Sequence, residues 1–252
     1  MSVLTYHSVD PKWNSTLAVA PERFSAHCAW LCRTRRVVDI ADAVSGISRH
    51  GRLRGGAVAV TFDDGFEDLY HHAFPVLRRE RMPATVFLVA ETLTPEGHPV
   101  DWVDDPPPYP LTTLQLDQIL EMQEAGVRFE SHTHTHPDLT KMGDEECRRD
   151  LEASRLLLEE LLGSSVHGLA YPFGYHDDRV CRLAEKAGYR YAVGSSQRRE
   201  PVGRYAIPRA GIYRDDDLLA LRIKSSPWYL GVRKTSAFRA VRAGVRTWRA
   251  RG

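Results

Sequence analysis

The chain has 252 residues, 42% hydrophobic and 27% charged, and its 34 Lys and Arg against 33 Asp and Glu give a formal net charge of +1. The length suits one large domain, the composition is that of an ordinary soluble protein, and no stretch approaches the length of a membrane span. A near-zero balance gives no electrostatic preference for nucleic acid.

The first residues, Met1-Ser-Val-Leu-Thr-Tyr-His7, read as a strand that starts at once, Val3–His7. No basic region followed by a long apolar run precedes it, so no signal peptide is expected. Asp10–Ala20 is a polar loop containing Trp13, and Pro21–Arg35 opens a helix with Phe24, Cys28, Leu31 and Cys32 at helical spacing. Val37–Ile40 is a short strand, Ala41–His50 a helix and Arg52–Gly56 a basic, glycine-rich link. The next strand is the apolar, β-branched run at the head of Val58–Phe66. Glu67–Arg81 is a helix with Leu69, Ala73, Val76 and Leu77 inward and a kink expected at Pro75.

Ala84–Ala90 is a buried strand. Glu91–Pro110 is long, proline-rich and without periodicity, which reads either as a binding loop or as a surface insertion. Thr112–Ala125 is a helix closed by Gly126, and Val127–Ser131 a strand. Asp144–Leu162, the longest amphipathic helix, is closed by Gly163. Val166–Tyr171 is a strand, Asp177–Ala187 a helix, Arg190–Gly194 and Tyr205–Pro208 the last strands, and Asp215–Ile223 a short helix. Strand and helix alternate throughout, which argues parallel βα units. Cys28, Cys32, Cys147 and Cys181 are few and scattered; Cys28 and Cys32 share a helical face, but without a second pair they read as packing residues. The compartment expected from these features is reducing and cytoplasmic.

Two stretches carry chemistry. Thr61-Phe62-Asp63-Asp64-Gly65 places two carboxylates at the end of a buried strand, where a cation or a shared proton must relieve their repulsion. Glu130–Leu139 contains His132, His134 and His136; one helical turn would bring His132 and His136 to one side and turn His134 away. Two imidazoles and a carboxylate with one position left for water make a catalytic zinc set. Candidate site residues all fall at C-terminal ends of strands, where barrel enzymes carry their chemistry.

These motifs resemble the polysaccharide deacetylases, the NodB-like carbohydrate esterases of family four. Tyr6-His7, Pro83–Leu88, Ala170-Tyr171-Pro172-Phe173-Gly174 and Ile207-Pro208-Arg209 extend the likeness over most of the chain, and the wording is most similar to the poly-N-acetylglucosamine deacetylase branch. The resemblance implies an α/β fold, a distorted (β/α)7 barrel. It implies Asp64, His132 and His136 as metal ligands and Asp63 as catalytic base. The metal would be Zn2+ first, with Co2+, Ni2+ or Fe2+ able to occupy the same ligands. From the Tyr171–Gly174 motif it implies a backbone N–H of Phe173 for the oxyanion, with Tyr171 beside the substrate. Many members place a histidine acid near the C-terminus, but no histidine follows His176 here; in the circularly permuted branch the acid sits on the first strand, which implies His7. Many members also carry an arginine ahead of their Pro-Tyr-Gly; Ala170 stands there, and Arg209 is expected to supply the guanidinium instead.

The expected activity is removal of N-acetyl groups from an N-acetylated sugar, oligosaccharide or lipid-linked glycan in polysaccharide assembly, with Trp102 and Tyr109 of the 91–110 loop flanking a sugar ring. Alternatives are hydrolysis of a cyclic amide or imide and a non-catalytic sugar-binding relative. The catalytic domain is expected over 1–231. No acid follows Asp217, while Phe238, Val241, Val245 and Trp248 recur at helical spacing among arginines. Residues 232–252 are therefore expected to form a basic amphipathic helix, packed on the barrel or touching an anionic inner membrane face.

Overall fold

The computed structural model describes residues 2–42, 44, 56–195, 203–233 and 235. Among them are eight strands: β1 (Ser2–Tyr6), β2 (Arg36–Val37), β3 (Ala57–Phe62), β4 (Thr85–Leu88), β5 (Arg128–Ser131), β6 (Gly168–Ala170), β7 (Tyr191–Ser195) and β8 (Ile207–Gly211). Seven close into a parallel ring in the order β1-β8-β7-β6-β5-β4-β3, sealed by β1 on β3 from Ser2↔Val58 to Tyr6↔Phe62. β2 is a two-residue spur on the start of β3. This is the distorted (β/α)7 barrel expected from the sequence.

The distortion has a visible repair. β5 and β6 share one register pair, Ser131↔Leu169. Below it the buried Glu130 carboxylate accepts the backbone N–H groups of His167 and Gly168, each at 2.7 Å, in place of ladder bonds. Burial pushes the Glu130 carboxyl up to about 7 against the pull of those donors.

Strand alternation divides the side chains between two cores. Val3, Ala59, Phe87, Ala170, Tyr191, Val193 and Ile207 form one cluster, joined by Ile40 and Val44 from the stretch after β2. Leu4, Tyr6, Val58, Val60, Val86 and Leu169 belong to the other, with Phe24, Cys28 and Leu31 of α1 (Pro21–Thr34) and Leu151 and Leu158. Cys28 is thus a packing residue, while Cys32 is exposed.

The surrounding helices are α1, α2 (Phe74–Glu80), α3 (Leu116–Glu124), α4 (Asp144–Leu162), α5 (Asp178–Lys186), α6 (Leu218–Lys224) and the short α7 (Tyr229–Arg233). The helix expected over Glu67–Arg81 is split: Leu69–Ala73 is π-helical and α2 follows, with Pro75 in its first turn. Proline has no N–H to continue the ladder, so the backbone widens just ahead of it. The last strand runs on past the expected Pro208 to Gly211, which puts Arg209 inside β8. Most of the expected 41–50 helix, the link before Gly56 and nearly all of 232–252 lie outside the described residues.

Candidate active site

The Asp-Asp pair is turned by two successive left-handed residues, Asp64 (φ 68°) and Gly65 (φ 67°). The positive φ at position 65 favours glycine, and a Cβ there would also press on Leu88 Cδ2 at 2.6 Å. Asp63 N–H still bonds to Tyr6 O at 3.0 Å, so the first carboxylate stays in the sheet while the second leaves it.

Asp63 meets Arg209 end-on. Nη1 donates to Oδ1 and Nη2 to Oδ2, each at 2.6 Å. Arg209 is buried, lies 5.5 Å from the Phe87 ring centre and also reaches Thr5 Oγ1 at 3.1 Å and Thr61 Oγ1 at 3.3 Å. Burial alone would raise the Asp63 carboxyl, but the guanidinium charge and its paired hydrogen bonds hold it far below the usual range. His7, one residue past β1, places Nε2 4.0 Å from Asp63 Oδ2. Burial pushes its imidazole down to about 4 against the pull of Asp63.

Asp64 faces the histidines. Its Oδ1 lies 3.6 Å from His132 Nε2 and 3.5 Å from His136 Nε2, and one ligand atom from each of the three residues falls within 4.8 Å of the others. His132 Nδ1 donates to Ala170 O at 2.8 Å, which leaves Nε2 with its lone pair toward Asp64. Tetrahedral bonds of about 2.0–2.1 Å place neighbouring donors roughly 3.4 Å apart, so these spacings fit one shared divalent ion. A carboxylate oxygen with two imidazole nitrogens suits Zn2+ and, equally, Co2+, Ni2+ or Fe2+. Burial, then the charge of Asp63, pushes the Asp64 carboxyl up to about 8. Burial also pushes both imidazoles toward the neutral form that a metal requires.

The histidines converge by a different route from the helical turn expected. Thr133 (φ 72°) and His136 (φ 61°) are left-handed, so the segment is an irregular loop. Thr133 Oγ1 donates to His132 O and accepts His136 N–H at 3.0 Å, while the mostly buried Asp150 of α4 accepts His134 N–H at 3.0 Å. The two local bonds of Thr133 and the tertiary bond to Asp150 hold a shape that local propensity disfavours. The His134 ring points away from the trio, with Nε2 4.0 Å from Glu91 Oε1.

Phe173 (φ 58°) sits in a tight turn after β6, with its ring half exposed and edge-on to His136 at 4.8 Å. Gly174 follows because a Cβ there would meet Ser195 N at 2.5 Å. One expectation needs correction. Tyr171 is fully buried, with its hydroxyl donating to Tyr205 O at 3.0 Å and its ring stacked on His176, so it supports the wall instead of facing substrate. Trp102, expected beside the substrate, is half-buried and stacks on His136 at 4.8 Å and on His98 at 6.0 Å, and its indole N–H donates to Asp64 Oδ1 at 3.1 Å.

Sequence reasoning missed Asp68 and Asp150. Asp68 Oδ2 accepts Ser8 Oγ–H at 2.7 Å and Oδ1 accepts Val9 N–H at 2.9 Å, tying the loop of His7 to the loop of the Asp-Asp pair. Asp150 was legible as an acid on the buried face of α4, beside Leu151 and Ser154.

A parallel barrel carrying an arginine-held carboxylate beside an Asp-His-His trio that could hold a metal ion is the frame of a carbohydrate-esterase-type deacetylase site. The polysaccharide deacetylase family profile matches residues 50–192, more than half of the chain, and the chain belongs to that family. It is 26% identical over 217 residues to YxkH of Bacillus subtilis, covering 84% of this chain and 71% of that protein. It is 27% identical over 178 residues to the poly-beta-1,6-N-acetyl-D-glucosamine N-deacetylase of Staphylococcus aureus, covering 66% of this chain and 58% of that enzyme. The matched region is therefore less than two thirds of the staphylococcal enzyme's length. Among solved structures, the deacetylase PplD of Streptococcus pyogenes superposes with TM-score 0.76 at 23% identity, covering 90% of this chain and 98% of that one. IcaB from Ammonifex degensii superposes with TM-score 0.69 at 24% identity, covering 84% and 91%. At these identities the structures establish the shared fold.

Proposed function

We propose that this protein is a metal-dependent N-deacetylase that hydrolyses the acetamide of an N-acetylated sugar, oligosaccharide or lipid-linked glycan. The observation that carries the reading is the split of neighbouring carboxylates: Asp63 paired end-on with Arg209, Asp64 facing two imidazole nitrogens. Asp64, His132 and His136 would hold the ion, which when bound supplies Lewis acidity that lowers the pKa of water and polarises a carbonyl.

The chain's own groups account for the proton movements. Asp63 is kept ionised and oriented by Arg209, so it accepts the proton of the attacking water. The water oxygen bonds to the acetamide carbon, and the Phe173 backbone N–H donates to the oxygen that gains charge. His7 then donates a proton to the sugar nitrogen as the carbon–nitrogen bond breaks, giving an amine and acetate. His7 Nε2 lies 4.0 Å from Asp63 Oδ2, beyond direct hydrogen-bond reach, so the proton that Asp63 takes from the water would reach His7 through one bridging water. His7 favours its neutral form, so it takes up the proton it donates only within the reaction sequence.

The staphylococcal relative, a poly-beta-1,6-N-acetyl-D-glucosamine deacetylase by its name, favours a polymeric or oligomeric N-acetylglucosamine substrate. The test is incubation of the Zn2+-loaded protein with N-acetylglucosamine oligomers in β-1,6 and β-1,4 linkage. Acetate and new free amines should appear in equal amounts. Tight binding without acetate release would mean a sugar-binding protein, and cleavage of cyclic imides alone would move the activity to that class.

A further inference from the structure

Residues 94–111 carry no regular secondary structure and no family motif, yet they are fastened to both loops that bear the metal trio. Just before this excursion, Ala90 N–H bonds to Thr133 O and Glu91 N–H to His134 O, each at 3.0 Å, on the histidine loop. Just after it, Leu114 N–H bonds to Gly65 O at 2.8 Å and Glu67 N–H to Thr112 O at 2.9 Å, on the Asp-Asp-Gly turn. Between these ends, Trp13 Nε1–H donates to Asp105 O at 2.8 Å, and Val100, Val103, Tyr109 and Leu111 pack on the cluster of Trp13 and Phe66. The excursion is thus a strap drawn across the mouth of the barrel and anchored along its length.

Its centre touches two of the three candidate ligands. Trp102 Nε1–H donates to Asp64 Oδ1 at 3.1 Å, and its ring stacks on His136. The ligands differ in what else holds them. His132 is fixed by its bond to Ala170 O, whereas His136 Nδ1 is buried without a hydrogen-bond partner among the described residues. Ring contacts therefore set the plane of His136, and Trp102 supplies one of its faces, with Phe173 edge-on to the ring. Groups behind the ligands fix their rotation and typically matter 10- to 100-fold in metal affinity.

We propose that the 94–111 strap is part of the metal centre: Trp102 is a positioning residue for Asp64 and His136, and closure of the strap and metal binding are coupled. The proposal rests on the metal-site reading given above. By reciprocity, a strap that tightens ion binding must itself be held more firmly once the ion is bound.

Two measurements test it. Trp102→Phe keeps an aromatic ring but removes the N–H donor. Titration of metal-free protein with Zn2+ against a chromophoric chelator should show the variant binding roughly 10- to 100-fold more weakly than the wild type. Hydrogen exchange on the unaltered protein needs no variant. Amides within 97–108 should exchange more slowly with Zn2+ than without it, and this protection should shrink in Trp102→Phe. A variant affinity within twofold of the wild type, or strap amides indifferent to Zn2+, overturns the coupling while leaving the trio as a metal site. A wild-type protein that binds no Zn2+ overturns the metal centre itself, and the strap's role with it.

Discussion

Asp63 and Asp64 are consecutive carboxylates, both buried, that meet opposite surroundings within one turn of chain. Removing Arg209 tests that difference. Arg209→Met leaves Asp63 buried beside no cation of its own, and breaking one half of a buried pair costs about 3–5 kcal/mol, readable by denaturant unfolding. Because Arg209 lowers the Asp63 carboxyl in the folded state, the pair's contribution to stability is present above the usual carboxylate range and disappears on acidification through the folded value. In the variant that acid-labile component should vanish. Its activity should rise with pH later than the wild type's, because burial now raises the unpaired base. Asp63→Asn is the contrasting change: it should retain the metal and lose on the order of a hundredfold or more in turnover, since an amide cannot accept the water's proton. Near-normal turnover in Asp63→Asn would remove this residue from the chemistry.

At the scale of elements, function depends on how loops at the barrel mouth are tied together. Asp68 binds Ser8 and Val9, so it fixes the chain immediately after His7 relative to the turn that carries Asp63. Asp68→Asn loses acceptor capacity there and should slow cleavage of the acetamide several times more than cleavage of an activated aryl acetate, whose phenolate leaves without a proton. Equal losses on both substrates would assign Asp68 a structural role alone. The strand ends were legible in the sequence because the apolar Ala57–Phe62 run stops at Asp63 and the strand-like Val127–Ser131 leads into His132, and a parallel barrel gathers such ends on one face. The loop shapes were not. Asp64, Thr133, His136 and Phe173 are all non-glycine residues with positive φ, a conformation that no local pattern announces. Trp102 shows the same limit: its partner Asp64 is 38 residues away, across a segment without periodicity.

Over the whole molecule, alternation of strands and helices pointed to parallel βα units and the family resemblance to the barrel, while its closure of β1 on β3 depends on pairing that periodicity does not specify. The charge distribution is uneven, with no acid after Asp217, and no helix among the described residues is long and apolar enough to cross a membrane. A basic 232–252 segment attracted to an anionic surface predicts salt-sensitive binding to anionic vesicles, since each basic residue there contributes about 1 kcal/mol. Deletion after Gly231 should abolish it, and absence of binding at low salt would leave that segment a packing role. The central claim concerns the barrel mouth: one divalent ion on Asp64, His132 and His136 on which deacetylation depends. Its most direct test is acetate release from N-acetylglucosamine oligomers as metal-free protein is titrated with Zn2+. The account predicts activity that saturates at about one ion per chain and that is lost in His132→Ala and His136→Ala but kept in His134→Ala. Acetate release that survives metal removal, or that fails in His134→Ala while persisting in His136→Ala, would contradict it.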